Sequence, residues 1–215
     1  GNQRDPTALM LFLHGLGDTC DGWVSMMPEL AAKNPHVLFV LPTAAQQRVT
    51  LNMGMQMTSW YDIKGLTPDA PEDTLGMRRT AAYMDKLVAE YSDKFGIAQD
   101  RVVYGGFSQG ACCALLRGLT TPRGTPAGIC ALSGYAGSRD WILTNLRHRD
   151  IPIFMAHGSQ DPVVPFVMSQ LSKAGLEGQG KVTKLEYHTY PMAHSACDEE
   201  LRDVSAWLSR AVPRT

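Results

Sequence analysis

Five short stretches of this chain are apolar almost from end to end: residues 8–15 (ALMLFLHG), 37–44 (VLFVLPTA), 102–108 (VVYGGFS), 128–134 (GICALSG) and 151–158 (IPIFMAHG). A strand with one face in water alternates polar and apolar residues, whereas a strand covered on both faces reads as a continuous apolar run, as in parallel sheets. A sixth stretch, 184–190 (KLEYHTY), alternates as a half-exposed strand does. Helical spacing fills the intervals. In 71–95 the residues Met77, Ala81, Met84, Leu87, Val88, Tyr91 and Phe95 fall on one helical face, Glu72 and Asp73 supply acids for the first turn, and Gly96 can end the helix. Shorter helices are expected at 23–33, 109–119, 166–174 and 197–210. Strands alternating with helices specify an α/β fold, a doubly wound and mostly parallel sheet with helices on both faces and ligands at the carboxyl ends of its strands. At 215 residues and 44% hydrophobic content, the chain suffices for one such domain, residues 1–215.

One connection is too long for this scheme. From Ala45 to Asp69 no helix is expected, and long connections in compact domains are commonly lids or binding loops. Within it, LNMGMQMTSW (51–60) sets Leu51, Met53, Met55 and Met57 at alternate positions, which on an extended segment would put four apolar side chains on one face.

The charge balance removes several function classes. Twenty Lys plus Arg against 21 Asp plus Glu give a net charge of -1 without a block of one sign, so nucleic acid is not an expected partner. No apolar run is long enough to span a membrane, and the N-terminus lacks the layout of a secretory signal, so the chain reads as soluble. It starts at Gly1, and GNQRDP lacks the Ser or Thr of an N-myristoylation signal. Five cysteines, Cys20, Cys112, Cys113, Cys130 and Cys197, are odd in number and irregularly spaced, which suggests free thiols in a reducing compartment. With no CxxC or HExxH, no structural zinc site is expected.

The chemistry concentrates in YGGFSQGACC (104–113). Gly106-Phe107-Ser108-Gln109-Gly110 is a G-x-S-x-G that follows a strand and opens a helix, the setting in which a serine sits on a strained turn with its Oγ lifted out of the sheet. The plainer alternative is a glycine-rich turn with a capping serine. A serine nucleophile needs a base, and the acid and histidine follow it in the order Ser, Asp, His. Asp161, in HGSQDPVVP, lies just past one strand; His194, in YPMAHSACDEE, lies between the last strand and the last helix. Both fall at the strand ends where Ser108 stands. His36 and His148 precede strands, His188 lies within one, His157 ends the strand before Asp161, and His14 in HGLGD reads as structural or supporting. Asp140 and Asp150 lack a strand-end position. For the oxyanion of a tetrahedral intermediate, the backbone amides of Gln109, next to the nucleophile, and Leu16, between two glycines, are available. Two other motifs carry less. GLEGQGKV (175–182) resembles a phosphate loop, but Val182 replaces the required Ser or Thr and the order is helix to strand. Cys112 and Cys113 read as small packing residues behind Ser108 before they read as redox groups.

With these residues in place the sequence resembles the acyl-protein thioesterase and lysophospholipase group of small carboxylesterases in the α/β-hydrolase fold. The resemblance covers nearly the whole chain, through LFLHGLGDTCDGW (11–23), TLNMGMQMTSWYDI (50–63), GGFSQGACCAL (105–115), HGSQDPVVP (157–165) and YPMAHSACDEEL (190–201). It implies a cofactor-independent cytosolic serine hydrolase that cleaves long acyl thioesters of protein cysteines, or lysophospholipid esters. Ser108, Asp161 and His194 would form the triad, and the amides of Leu16 and Gln109 the oxyanion hole. Leu51, Met53, Met55, Met57, Trp60 and Val163 would bind the acyl chain, although the methionines could equally be packing of an irregular edge strand. A general short-chain carboxylesterase, and a catalytically silent protein that binds acylated ligands, are the competing readings. Acylated proteins or lysophospholipids are the expected partners, with transient contact to a membrane surface allowed and the choice between monomer and weak homodimer open. Two departures stand out: Ala111 where the family usually has Gly, and LSGYAGS (132–138), which differs from the usual pattern.

Overall fold

The computed structural model describes residues 5–214, so the reading of Gly1 and its neighbours lies outside the described residues. The elements follow in order: β1 (Ala8–Leu13), α1 (Asp21–Val24), α2 (Met27–Lys33), β2 (Val37–Val40), β3 (Gln46–Val49), β4 (Met55–Thr58), α3 (Thr74–Phe95), β5 (Val102–Phe107), α4 (Gln109–Thr120), β6 (Gly128–Leu132), α5 (Arg139–Thr144), β7 (Ile153–Gly158), α6 (Phe166–Gly178), β8 (Leu185–Tyr190) and α7 (Asp198–Ala211). Six strands form one sheet in the order β2-β1-β5-β6-β7-β8, every neighbouring pair parallel.

The apolar runs are explained by what covers them. Alternate residues of each central strand enter two separate cores. Leu9, Leu11, Tyr104, Ile129 and Ile153 pack on one face with side chains of α3, α4, α5 and α6. Met10, Phe12, Val103, Cys130 and Phe154 pack on the other with α1, α2 and α7. Both faces are covered, which is why these strands read as continuous apolar runs. The α4 helix has every residue buried, against β1, β5 and β6.

From β1 the chain winds outward to the β2 edge and later re-enters on the other side of β1 at β5. Two strands whose onward connections diverge leave a crevice beyond their carboxyl ends. The segment after β1 holds His14 to Gly17, and Ser108 follows β5.

Several boundaries differ from expectation for local reasons. The stretch 23–33 divides into α1 and α2, with Pro28 near the start of α2, where its missing N–H costs no helical bond. Helix α3 starts at Thr74 because Asp73 is its cap, accepting from the Gly76 amide at 2.9 Å, while Glu72 still pairs with Ile63 in an isolated bridge. The 175–182 segment begins inside α6 and runs on to β8. No helix among the described residues is long and apolar enough to cross a membrane.

The long connection is an antiparallel hairpin of β3 and β4, turned by a short 3-10 segment, Thr50–Asn52. Met53 and Gly54 take left-handed backbone, with φ of 55° and 73°. This corrects the single extended face expected for Leu51 to Met57. Leu51 lies in the 3-10 turn and Met53 at the bend, so only Met55 and Met57 share a strand face.

Candidate active site

Ser108 occupies φ 53°, ψ −117°, between the end of β5 and the start of α4. Positive φ is costly for a residue with a Cβ, and the surrounding chain holds it by close approach. A Cβ on Gly110 would lie 2.1 Å from the Leu13 carbonyl oxygen, and one on Gly106 would lie 2.4 Å from the Gly110 carbonyl carbon. Both glycines let the turn collapse onto β1 and α4, and the serine hydroxyl is thereby pushed toward the crevice.

Three side chains expected from the sequence meet there. Ser108 Oγ lies 2.9 Å from His194 Nε2, and His194 Nδ1 lies 2.6 Å from Asp161 Oδ2. With Nδ1–H donating to the carboxylate, Nε2 is left to accept the serine proton. The Asp161 carboxylate is itself inaccessible to solvent. Its Oδ1 accepts from the amides of Val163 at 2.8 Å and Val164 at 2.9 Å. A buried carboxylate requires such donors.

A further histidine, assigned no role by the sequence, completes this shell. His157 is fully buried, with Nε2 2.9 Å from the Val164 carbonyl and 3.3 Å from Asp161 Oδ2. Both neighbours are acceptors, which places a proton on Nε2. Burial lowers the His157 pKa, keeping the ring neutral. On the far side, His194 packs against Phe107 at 4.8 Å between ring centroids, Phe107 against Trp23 at 5.1 Å, and Trp23 against Phe12 at 4.6 Å. The imidazole is therefore held by a hydrogen bond at one edge and aromatic packing on its face. Phe107 and Trp23 sit inside the motifs that pointed to the site, but nothing in their spacing marks them as supports.

The two residues whose amides are expected at the oxyanion hole, Leu16 and Gln109, line the same cleft as the serine, and a Cβ on Gly15 would lie 3.4 Å from Ser108 Cβ. Gln109 is the first residue of α4, so its N–H has no intrahelical partner. The Leu16 segment is fixed from two directions. His14 is buried with Nδ1 2.6 Å from the Gly15 carbonyl, while Nε2 accepts the Ala44 amide at 3.0 Å. That pair of contacts admits only the neutral Nδ1–H tautomer, and burial lowers the His14 pKa accordingly. From the hairpin, the Thr58 carbonyl accepts the Gly17 amide at 2.8 Å and the Thr58 hydroxyl donates to the Asp18 carbonyl at 2.6 Å.

The Gln109 side chain has a separate task. Its Oε1 accepts the Trp60 amide at 3.0 Å, and its Nε2 donates to Ser59 Oγ at 2.9 Å and to the Tyr61 carbonyl at 2.7 Å. The nucleophile's helix is thus joined directly to the segment that follows β4.

Ser108 and His194 open into a cleft of about 460 Å³. Away from the serine its walls are mostly apolar, with Leu51, Tyr61, Ile63, Leu66 and Val163 among them. Of the residues expected along an acyl channel, Leu51 and Val163 line this cleft; Met53, Met55, Met57 and Trp60 do not. Met53 is 91% exposed and Met55 53%, both directed to solvent by the bend at Met53-Gly54. Met57 packs on the core, and Trp60 is buried, donating Nε1–H to the His14 carbonyl at 2.8 Å.

The other polar candidates fall elsewhere. His36 and His148 bond backbone carbonyls of Val212 and Thr121, and His188 stacks on Phe154 within the sheet. All five cysteines are free thiols; burial pushes Cys112 up to about 11 and Cys113 well above its usual range, which suits packing and opposes thiolate chemistry. Among the described residues no group of three or more His, Cys, Asp or Glu side chains could hold a metal ion.

Comparison with known proteins places this arrangement. The family model described as phospholipase/carboxylesterase matches residues 2–212. Acyl-protein thioesterase 1 of Mycosarcoma maydis is 42% identical over 226 residues, covering 97% of this chain and 92% of the relative. Its namesake in Yarrowia lipolytica is 39% identical over 212 residues, with 96% and 92% covered. Among solved structures, Arabidopsis thaliana SOBER1 superposes with a TM-score of 0.87 at 25% identity, over 95% of this chain and 98% of that one. Zea mays acyl-protein thioesterase 2 gives a TM-score of 0.82 at 27% identity, over 96% and 94%.

Proposed function

The chain belongs to the phospholipase/carboxylesterase family of α/β-hydrolase fold, and from that premise we propose that it is a serine hydrolase removing long acyl chains from protein cysteine thioesters. The observation that carries the reading is the unbroken line from Asp161 through His194 to Ser108 at the floor of an apolar-walled cleft.

In the proposed cycle, His194 Nε2 takes the Ser108 proton as Oγ attacks the acyl carbonyl, and Asp161 stabilises the imidazolium that forms. The amides of Leu16 and Gln109 hold the developing oxyanion. Collapse breaks the carbon–sulfur bond and releases the cysteine. A thiol of pKa about 8.5 leaves readily as thiolate, so His194 has less work as an acid in this step than with an oxygen ester. Water, deprotonated by His194, then attacks the acyl-enzyme, and the fatty acid departs. No cofactor enters the cycle.

A protein-bound acyl chain resides in a membrane until it is extracted, and the hairpin tip suits contact with one. Met53 and Met55 are large apolar side chains held in solvent at the bend beside the cleft residue Leu51. We place the enzyme in the cytoplasm with transient attachment to lipid surfaces. Co-sedimentation with anionic vesicles should fall in Met53→Asp, with turnover of a water-soluble thioester unchanged.

The function is tested by kcat/KM for thioesters and oxygen esters of increasing acyl length, with fluorophosphonate labelling of Ser108. A rise with length that disappears in Ser108→Ala supports the reading. Activity limited to short esters indicates a general carboxylesterase, preference for lysophospholipids an ester-directed enzyme, and absence of labelling a silent binding protein.

A further inference from the structure

The cleft around Ser108 has two walls of different origin. Tyr61, Ile63 and Val164 belong to the core that α3 to α6 cover, whereas Trp23, Phe107 and Ala196 belong to the core on the other face of the sheet, covered by α1, α2 and α7. His194 stands with the second group, its ring 4.8 Å from that of Phe107. The leaving sulfur departs on the His194 side, because the water that His194 later deprotonates enters through the place it vacates. The peptide that carries the cysteine therefore meets the Trp23 wall.

That wall bears one charge of its own. Asp18 lines the cleft, and among the described lining residues there is no other carboxylate and no lysine or arginine. Its side chain is fixed beside Trp23: Oδ1 accepts the Thr19 amide at 2.7 Å, and a Cβ on Gly22 would lie 2.3 Å from Oδ2. The missing side chain of Gly22 is what makes room for the carboxylate. Among the described residues Oδ2 has no hydrogen-bond donor and Asp18 no ion-pair partner. His14 feels its charge, but burial keeps that ring neutral. The segments that flank this wall, 5–32 and 185–201, contain no lysine or arginine to offset it. An uncompensated carboxylate in a cleft draws cations in and turns anions away.

We propose that Asp18 selects the leaving group, favouring acylated cysteines flanked by lysine or arginine over those flanked by acidic residues. The inference rests on the thioesterase reading above and adds the peptide chemistry that the acyl-binding wall does not read.

The experiment compares kcat/KM for two S-acyl peptides that share one acyl group and differ only in having Lys or Glu on both sides of the cysteine. The parent should favour the Lys peptide by about fivefold. Asp18→Asn keeps an oxygen for the Thr19 amide and should abolish the preference, and Asp18→Lys should invert it. Raising the salt concentration should shrink the parent's preference and leave Asp18→Asn as it was. Each protein is read as a ratio of two substrates, so a smaller folded fraction does not alter the result. If Asp18→Lys fails to fold, the Asn variant and the salt series still decide. Equal turnover of both peptides by the parent, or a preference that survives in Asp18→Asn, overturns the proposal and spares the thioesterase reading. A parent that cleaves neither peptide while hydrolysing short soluble esters removes that reading instead.

Discussion

The methyl group of Ala111 occupies the space that a side chain at position 134 would need: a Cβ built on Gly134 would lie 2.5 Å from Ala111 Cβ. The two places where the sequence departs from its family's usual pattern, Ala111 and the LSGYAGS segment, therefore meet in one contact behind the nucleophile. A packing exchange of this kind predicts coupling. Gly134→Ala alone should cost roughly 1–3 kcal/mol through overpacking. Adding Ala111→Gly should recover part of that, since the Ser108 carbonyl still opposes the new methyl. Urea unfolding of the two single variants and the double variant measures it, and strict additivity would show that the two positions do not share space.

Asp161 holds the proton-accepting tautomer of His194. Asp161→Asn keeps the shape but loses the carboxylate that requires Nδ1–H, so kcat should fall by about ten-thousand-fold with little change in KM. A drop below tenfold would mean that another group orients His194. His157 reaches the same Oδ2 only at 3.3 Å, against 2.6 Å for His194, so His157→Asn should be far milder.

The Gln109 side chain serves three groups of the 59–61 segment at once. Gln109→Ala keeps the backbone amide proposed for the oxyanion but strands those partners, at about 1–3 kcal/mol for each buried group left unpaired. Thermal unfolding should shift downward clearly. Activity of the folded fraction at low temperature should survive, since the amide remains; its complete loss would assign the side chain a direct part in turnover.

Glu200 lies fully buried in the first turn of α7, and neither carboxyl oxygen has a hydrogen-bond partner among the described residues. Burial pushes its carboxyl up to about 8. The folded state thus retains a proton that the unfolded chain releases above about pH 4.3. Stability from this group is complete below that value and is lost as the pH rises toward 8, after which the loss levels off. Glu200→Gln should remove the slope, so that the variant's advantage grows between pH 5 and 8 to a few kcal/mol. Denaturant midpoints at pH 5.5, 7 and 8.5 measure this; parallel parent and variant curves would contradict it.

The sheet and the serine, aspartate and histidine were legible because each depends on local grammar. Strands buried on both faces must be apolar, an exposed nucleophile on a sharp turn needs glycine around it, and partners at strand ends share one edge of the sheet. The hairpin misled for an equally physical reason. Alternation from Leu51 to Met57 describes an extended face only if the backbone stays extended, and it bends at Met53-Gly54. His157 was not legible as a support of Asp161. It gains its place from the turn that follows its strand, where Asp161 and the Val164 carbonyl fold back onto its ring, and single-sequence spacing carries no record of that.

The Thr58 contacts join the hairpin to the Leu16 loop through two short hydrogen bonds. The hairpin is consequently not a loose flap over the cleft. Thr58, the last residue of β4, is anchored to Gly17 and Asp18, so the strand that descends from the Met53 bend and the segment after β1 are two ends of one tied unit rather than independent loops.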